Sequence, residues 1–242
     1  MSAVVVIPAR YGSSRFPAKV LASETGRPLV QHVVDRARRC RSVRQVIVAT
    51  DDQRVIEALR PFETTCVMTS IAHQSGTDRI AEVASSLADD IVINVQGDEP
   101  EIDPGAIDGL VELMNRPGSE MGTVITPFGP GKDPTDPNIV KAVVAQDGRA
   151  LYFSRLPVPY RREPISDAAP PYYHHLGIYG YRREVLLRFA SWKPTMLEQT
   201  EKLEQLRALE HGVRIDCLKV QTAPPGIDTP EQYAAFVQRQ RN

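Results

Sequence analysis

The chain has 242 residues, of which 42% are hydrophobic and 24% charged, and its formal net charge is −1. That length suits one large α/β domain, and the balance excludes a disordered chain and a globally basic nucleic-acid binder. No apolar run approaches the roughly 18 residues that cross a bilayer, and the N-terminus lacks the pattern of a signal peptide, so neither membrane insertion nor export is expected. Cys40, Cys66 and Cys217 are far apart, odd in number and without metal-type spacing. They read as reduced, mostly buried thiols of a cytoplasmic protein.

Val4 to Ile7 is a β-branched run that predicts a buried parallel strand. A helix follows Pro28, with Leu29, Val30, Val33, Val34 and Ala37 on one face. Strand 45–50 ends at Asp51 and Asp52, and a short helix runs from Asp52 to the stop at Pro61. Strand 64–68 precedes a helix over 75–87, capped by Ser75 or Thr77. Strand 91–95 leads into "QGDEP", and Pro104 opens a helix over 104–114. This alternation with short connections predicts a mostly parallel sheet with helices on both faces.

The second half is less regular. Strands are expected at 121–128, 139–146, 175–182 and 214–220, and helices at 197–209 and from Thr229 onward. The proline-rich stretch 150–173 reads as a protruding arm or a flexible loop.

In open α/β sheets ligands bind beyond the carboxyl ends of the strands. Four polar segments occupy that edge here: "ARYGSSRFPAK", "ATDD", "HQSGTDR" and "QGDEP". The first offers Gly12, Ser13 and Ser14 with Arg10, Arg15 and Lys19, which suits a polyphosphate, although a solvated basic loop is the plainer alternative. Its spacing is neither GxxxxGK[ST] nor GxGxxG. Asp98 and Glu99 directly after a strand can hold Mg²⁺, or can cap the helix that follows. Asp228, in "GIDTP", reads by itself as an ordinary cap. Gly76 at a helix N-terminus can admit a flat base or a phosphate, or belong to a plain cap. His174 and His175 begin a strand, so at most one of them faces a cleft. On the 197–209 helix Leu203, Leu206 and Leu209 form the core stripe, and Glu201, Glu204 and Gln205 fall on the solvated side.

Taken in order, "IPARYGSSRFPAK", "ATDD", "HQSGTDRIAEV", "NVQGDEP", "ALYFSR", "HLGIYGYR", "TEKLEQLRALEHG" and "GIDTPEQY" resemble the 3-deoxy-manno-octulosonate (Kdo) cytidylyltransferases from about Val4 to Tyr233. The first motif is shared more loosely with sialic-acid cytidylyltransferases, whereas "HLGIYGYR" and "EKLEQLR" are more specific to the Kdo enzymes. The resemblance implies a Rossmann-like nucleotide-diphospho-sugar transferase fold in a single domain over 1–242, with about 121–182 forming an irregular dimerisation and sugar-binding lobe. It implies a cytoplasmic homodimer that transfers CMP from CTP to Kdo with Mg²⁺, releasing pyrophosphate, for lipopolysaccharide or capsule assembly. Sialic acid or 8-amino-Kdo is the alternative acceptor.

By the same resemblance Arg10, Ser13 and Lys19 hold the CTP phosphates, and Gln74, Ser75 and Gly76 border the cytosine and ribose. Asp98 and Asp228 bind Mg²⁺, and Arg10, Lys19 and Asp98 are the catalytic set. Gln96, Arg155, His175, Tyr179, Glu204 and Gln205 line the sugar pocket, with Arg155 the natural partner of an anionic sugar. Relatives often carry Gly before the lysine of the first loop. Ala18 keeps a small side chain there, so little effect is expected.

Overall fold

The computed structural model of the chain describes residues 1–12, 16–129, 132–162, 172–222 and 224–241. Four strands of the first half, β1 (Ala3–Pro8), β2 (Gln45–Thr50), β3 (Thr65–Met68) and β4 (Ile91–Asn94), run parallel in the order β3-β2-β1-β4. Helices α1 (Leu29–Ala37), α2 (Gln53–Leu59), α3 (Gly76–Ser85) and α4 (Pro104–Met114) connect or follow them. The β-branched run of β1 is buried on both sides because successive side chains enter different layers. Val5 and Ile7 pack with Val30, Val33 and Val34 of α1 and Ile107 and Leu110 of α4. Val4 and Val6 pack with Ile80, Val83 and Ala84 of α3. Each such aliphatic side chain contributes about 1.5–3 kcal/mol when fully buried, so this double-faced run fixes the sheet's centre.

The second half completes one mixed sheet. It adds β5 (Met121–Pro127), β6 (Lys141–Val144), β7 (Ala150–Ser154), β8 (Tyr173–Arg182), α5 (Arg183–Ser191), α6 (Met196–Glu201), α7 (Gln205–Glu210), β9 (Ile215–Lys219) and α8 (Pro230–Arg241). The order across the sheet is β3-β2-β1-β4-β8-β5-β9, with β6 paired to both β7 and the start of β8. Strand β8 runs antiparallel to β4 and β5, while β9 is parallel to β5. The register of β8 on β5 jumps so that Thr123 faces Tyr179 and Val124 faces Leu176. This bulge at Gly177 and Ile178 re-aims the neighbouring side chains, as bulges beside functional sites do.

Three expectations need correction. The stretch 150–173 is not all arm or loop, because its first five residues form β7 and pair with β6; residues 163–171 lie outside the described residues. The expected helix over 197–209 is two helices, α6 and α7. Thr195 and Glu198 form a capping box at the start of α6, and Lys202 closes it with φ 53 in the left-handed region. Arg207 then reaches back across the break to Glu198, with Nε 2.7 Å from Oε2. A buried ion pair of tertiary origin therefore replaces the helical repeat. Helix α5 was not expected at all, although Val185, Leu186 and Phe189 bury one face of it.

Helix α8 is fixed to α1 by a small apolar cluster of Leu29, Ile227, Tyr233, Phe236 and Val237. The Tyr233 hydroxyl accepts from the Glu24 backbone N–H at 2.8 Å. This docking carries Asp228, just before α8, to the carboxyl edge of the parallel strands.

Candidate active site

The polar segments converge where the sequence places them, at the carboxyl ends of β1 and β4. The approach is close enough to favour glycine: a Cβ on Gly97 would lie 3.0 Å from the Pro8 carbonyl oxygen, and one on Gly76 would lie 3.3 Å from Pro8 Cγ, both tighter than ordinary contact. At the N-terminus of α3, Ser75 and Asp78 cap reciprocally, the Ser75 hydroxyl accepting from the Asp78 N–H at 3.1 Å. A cavity of about 320 Å³ is lined by Pro8, Arg10, His73, Gln74, Ser75, Gly76, Arg79 and Gln96. Five residues expected to bind substrate, drawn from three separate segments, thus share one cavity. Ser13 lies outside the described residues.

Below this cavity the two expected metal ligands meet. The backbone N–H of Ile227 donates to the Asp98 carbonyl at 2.9 Å, which ties the "QGDEP" loop to the "GIDTP" turn. Lys19 enters between them: its Nζ is 2.7 Å from Asp98 Oδ2, 3.2 Å from Asp228 Oδ1 and 2.7 Å from the Ile227 carbonyl. The side chain of Lys19 is only 9% exposed. Asp98 and Asp228, far apart in the chain, thus meet around one ammonium. Glu99, next in the chain, is pushed up to about 7 by burial and by the neighbouring Asp98 charge. Two carboxylates and a main-chain carbonyl around one cation form a hard oxygen set of the kind Mg²⁺ takes.

A second wall is built from β8 and α7. His175 is buried, meets the Thr123 hydroxyl at 3.0 Å, and lies with its ring centroid 5.5 Å from that of Tyr179. Burial lowers its pKa to about 3, so the imidazole is neutral. His174 points the other way, toward Lys132 and Phe128, as strand alternation predicts. Tyr179 is raised well above the ordinary phenol range, first by burial and then by the charge of Glu204. The Thr77 hydroxyl, one residue from Gly76, donates to Glu204 Oε2. Glu204 Oε1 and Gln205 Nε2 are buried with no hydrogen-bond partner among the described residues, and Arg207 stands 3.8 Å from Glu204 Oε1. Gln205 is 4% exposed, so the solvated-side reading of that helix fails at this position. Orphaned buried polar atoms carry a cost that a polar ligand removes.

Arg155 is placed differently from the expectation of a side chain free to meet an anionic sugar. Its Nε donates to the Glu201 carbonyl at 2.7 Å, and its two terminal nitrogens to the carbonyls of Pro137 at 2.8 Å and Lys202 at 3.2 Å. It braces the turn that aims Glu204 and Gln205. The Glu201 carboxylate accepts from the Ser154 hydroxyl and the Arg155 N–H, and buried Lys141 donates to the Asp136 and Arg155 carbonyls. The segment "ATDD" is also structural: Asp52 caps α2, and Asp51 pairs at 2.6 Å with Arg79, a buried residue on the cavity wall. Arg79 and Lys141 were not singled out from sequence, while Thr77 was read only as a candidate helix cap and Glu201 only as a solvated-face residue. The available signal for Arg79 was its place one turn into the helix after "SGTD", level with the acids at the end of β2.

The layered α/β sheet brings Arg10, Lys19, Gly76 and an acid pair to one edge, an arrangement that suits a nucleotide-using transferase. Residues 4–215 match the family model described as cytidylyltransferase. The 3-deoxy-manno-octulosonate cytidylyltransferase of Geobacter sulfurreducens is 44% identical over 99% of both chains, and that of Alteromonas mediterranea is 47% identical over 98% of this chain and 99% of its own. A solved CMP:2-keto-3-deoxy-manno-octonic acid synthetase complexed with CTP superposes with TM-score 0.94, at 42% identity over 100% of this chain and 99% of the other. A cytidylyltransferase structure from Leptospira borgpetersenii, at 16% identity and TM-score 0.65, covering 98% of this chain and 85% of its own, shares the fold. The chain belongs to the cytidylyltransferase family, in the group of 3-deoxy-manno-octulosonate cytidylyltransferases.

Proposed function

We propose that this protein transfers CMP from CTP to 3-deoxy-manno-octulosonate, giving CMP-Kdo and pyrophosphate. The observation that carries the reading is the single cavity holding Arg10, Gln74, Ser75, Gly76 and Gln96, in a chain that matches a CTP-complexed synthetase along its whole length. The cytosine and ribose lie against Gln74, Ser75 and Gly76, and the triphosphate runs toward Arg10 and Lys19. The acceptor sugar fills the wall formed by Gln96, His175, Tyr179, Glu204 and Gln205, where Glu204 Oε1 and Gln205 Nε2 await partners.

In this reading the anomeric hydroxyl of Kdo attacks the α-phosphorus of CTP in line, and pyrophosphate leaves. The chain's work is positioning and charge stabilisation. Asp98 and Asp228 would hold Mg²⁺, which would supply positive charge to the phosphates and Lewis-acid activation of the acceptor. Arg10 and Lys19 offset the charge that grows on the departing pyrophosphate. Neutral His175 and protonated Tyr179 offer hydrogen bonds without adding charge beside an anionic sugar. Arg155 supports this wall through the turn at Lys202.

The chain acts as a homodimer in the cytoplasm. Leu151, Leu156 and Tyr160 on and after β7 are 52%, 68% and 86% exposed, an apolar surface that a second copy would cover. No helix among the described residues is long and apolar enough to cross a membrane, and burial pushes the thiols of Cys40 and Cys217 up to about 12, which leaves them poor nucleophiles.

The test is pyrophosphate release with CTP, Kdo and Mg²⁺, each omitted in turn, and with sialic acid or 8-amino-Kdo replacing Kdo. Release should require all three components and should favour Kdo. Equal turnover with sialic acid would replace the acceptor assignment.

A further inference from the structure

Lys19 sits in an unexpected place for a phosphate ligand: between two carboxylates. The carboxylates themselves do not depend on it for their position. The Ile227 N–H bond to the Asp98 carbonyl at 2.9 Å links the two loops through the main chain, and the apolar cluster of Leu29, Ile227, Tyr233 and Phe236 anchors the turn that carries Asp228. The acid pair is thus a rigid frame. Lys19 is the adjustable element, a compact ammonium on a four-carbon stem. Its Nζ lies 2.7 Å from Asp98 Oδ2 and 3.2 Å from Asp228 Oδ1, so one ammonium bridges the two acids. It thereby lowers the repulsion between neighbouring carboxylates at a half-buried site.

We infer that Lys19 is the built-in counter-ion of the acid pair, that a divalent cation displaces it, and that the displaced ammonium then becomes the phosphate ligand. This deepens the function proposed above and rests on its assignment of Asp98 and Asp228 to the metal. The charge balance explains the economy of the device. With Lys19 in place one positive charge bridges the two carboxylates. A divalent cation in its place brings one more positive charge to the acids and frees the ammonium, and both changes favour a triphosphate. Cation and polyphosphate binding are therefore coupled through one side chain, and the coupling is reciprocal.

The test uses Mn²⁺ alone, with no nucleotide, and reads free Mn²⁺ by electron paramagnetic resonance for the full-length wild type, Lys19→Met and Asp98→Asn. Removal of the competing ammonium should tighten Mn²⁺ binding by Lys19→Met about tenfold or more, within the range of such coupling, and Asp98→Asn should weaken it. Mn²⁺ should also raise the melting temperature of Lys19→Met more than that of the wild type. If Asp98→Asn loses Mn²⁺ while Lys19→Met binds no more tightly than wild type, the counter-ion role is overturned and the metal assignment stands. If Asp98→Asn binds as wild type does, the metal assignment falls and the counter-ion role with it. Should Lys19→Met fold poorly, the side-chain resonance of Lys19 in the wild type gives the same decision. It should shift on addition of Mg²⁺ alone, and a resonance that moves only when CTP is added would overturn the inference.

Discussion

The two walls of the site are built on different physics. The proposed nucleotide side stands at the ends of parallel strands and works with charge: the pairing of β1 with β4 sets the loops of Arg10, Lys19 and Asp98 side by side, and the docking of α8 adds Asp228. The acceptor side stands on an antiparallel strand with a bulge and on a broken helix, and it works with buried neutral or half-satisfied polar groups. Charge tolerates small displacement because its field is long-ranged, whereas a buried hydrogen-bonding wall needs each atom in place. Hence the acceptor wall carries an outer brace of Arg155, Glu201 and Lys141, while the acid pair is joined by the main-chain bond from Ile227 to Asp98 and by the Lys19 ammonium.

This contrast can be broken most severely at Asp98. Asp98→Asn keeps the shape and removes the charge, so turnover at saturating CTP should fall on the order of 10²–10³-fold, as losses of charge stabilisation do, with circular dichroism unchanged. Turnover near wild type would detach Asp98 from the reaction. Next in size, Glu204→Ala should raise the KM for Kdo about tenfold or more, the worth of a hydrogen bond to a charged group, and leave the KM for CTP within about twofold of wild type. A shift in both constants together would merge the two walls into one.

A pH experiment separates the walls further. His175 has its pKa lowered to about 3 in the folded chain, against about 6.5 when unfolded. The unfolded chain therefore binds the extra proton between those values. Stability should be constant above about pH 6.5 and fall by up to about 1.4 kcal/mol per pH unit below it from this residue. Denaturant midpoints of wild type and His175→Gln compared at several pH values should show a shallower acid slope in the variant. Parallel slopes would mean that His175 is not held neutral.

The smallest effect concerns the cationic loop. Ala18 has φ 54, in the left-handed region, which costs an L-residue about 1–2 kcal/mol, partly offset by the chain entropy that glycine adds. Ala18→Gly should therefore stabilise the protein by up to about 1 kcal/mol in thermal or chemical denaturation. The expectation of little effect rested on side-chain size, but backbone conformation governs this position.

The sequence by itself determined the parallel half and its polar edge. A β-branched strand buried on both faces, a helix with an apolar stripe and a Ser or Asp cap are local patterns, and the loops between them must fall at the strand ends. Gln74, Ser75, Gly76 and Gln96 lie in segments that this pattern placed at the edge, and they line one cavity there, but their individual roles came from the resemblance. Tertiary structure alone decided the rest. The break at Lys202 depends on Arg207 reaching Glu198, the pairing of Asp228 with Asp98 depends on α8 docking against α1, and the bracing role of Arg155 depends on carbonyls of Pro137, Glu201 and Lys202 that approach it in space. These contacts cross from one element to another, so no periodicity or spacing within an element encodes them. Their energies are realised only after the sheet has brought both halves together.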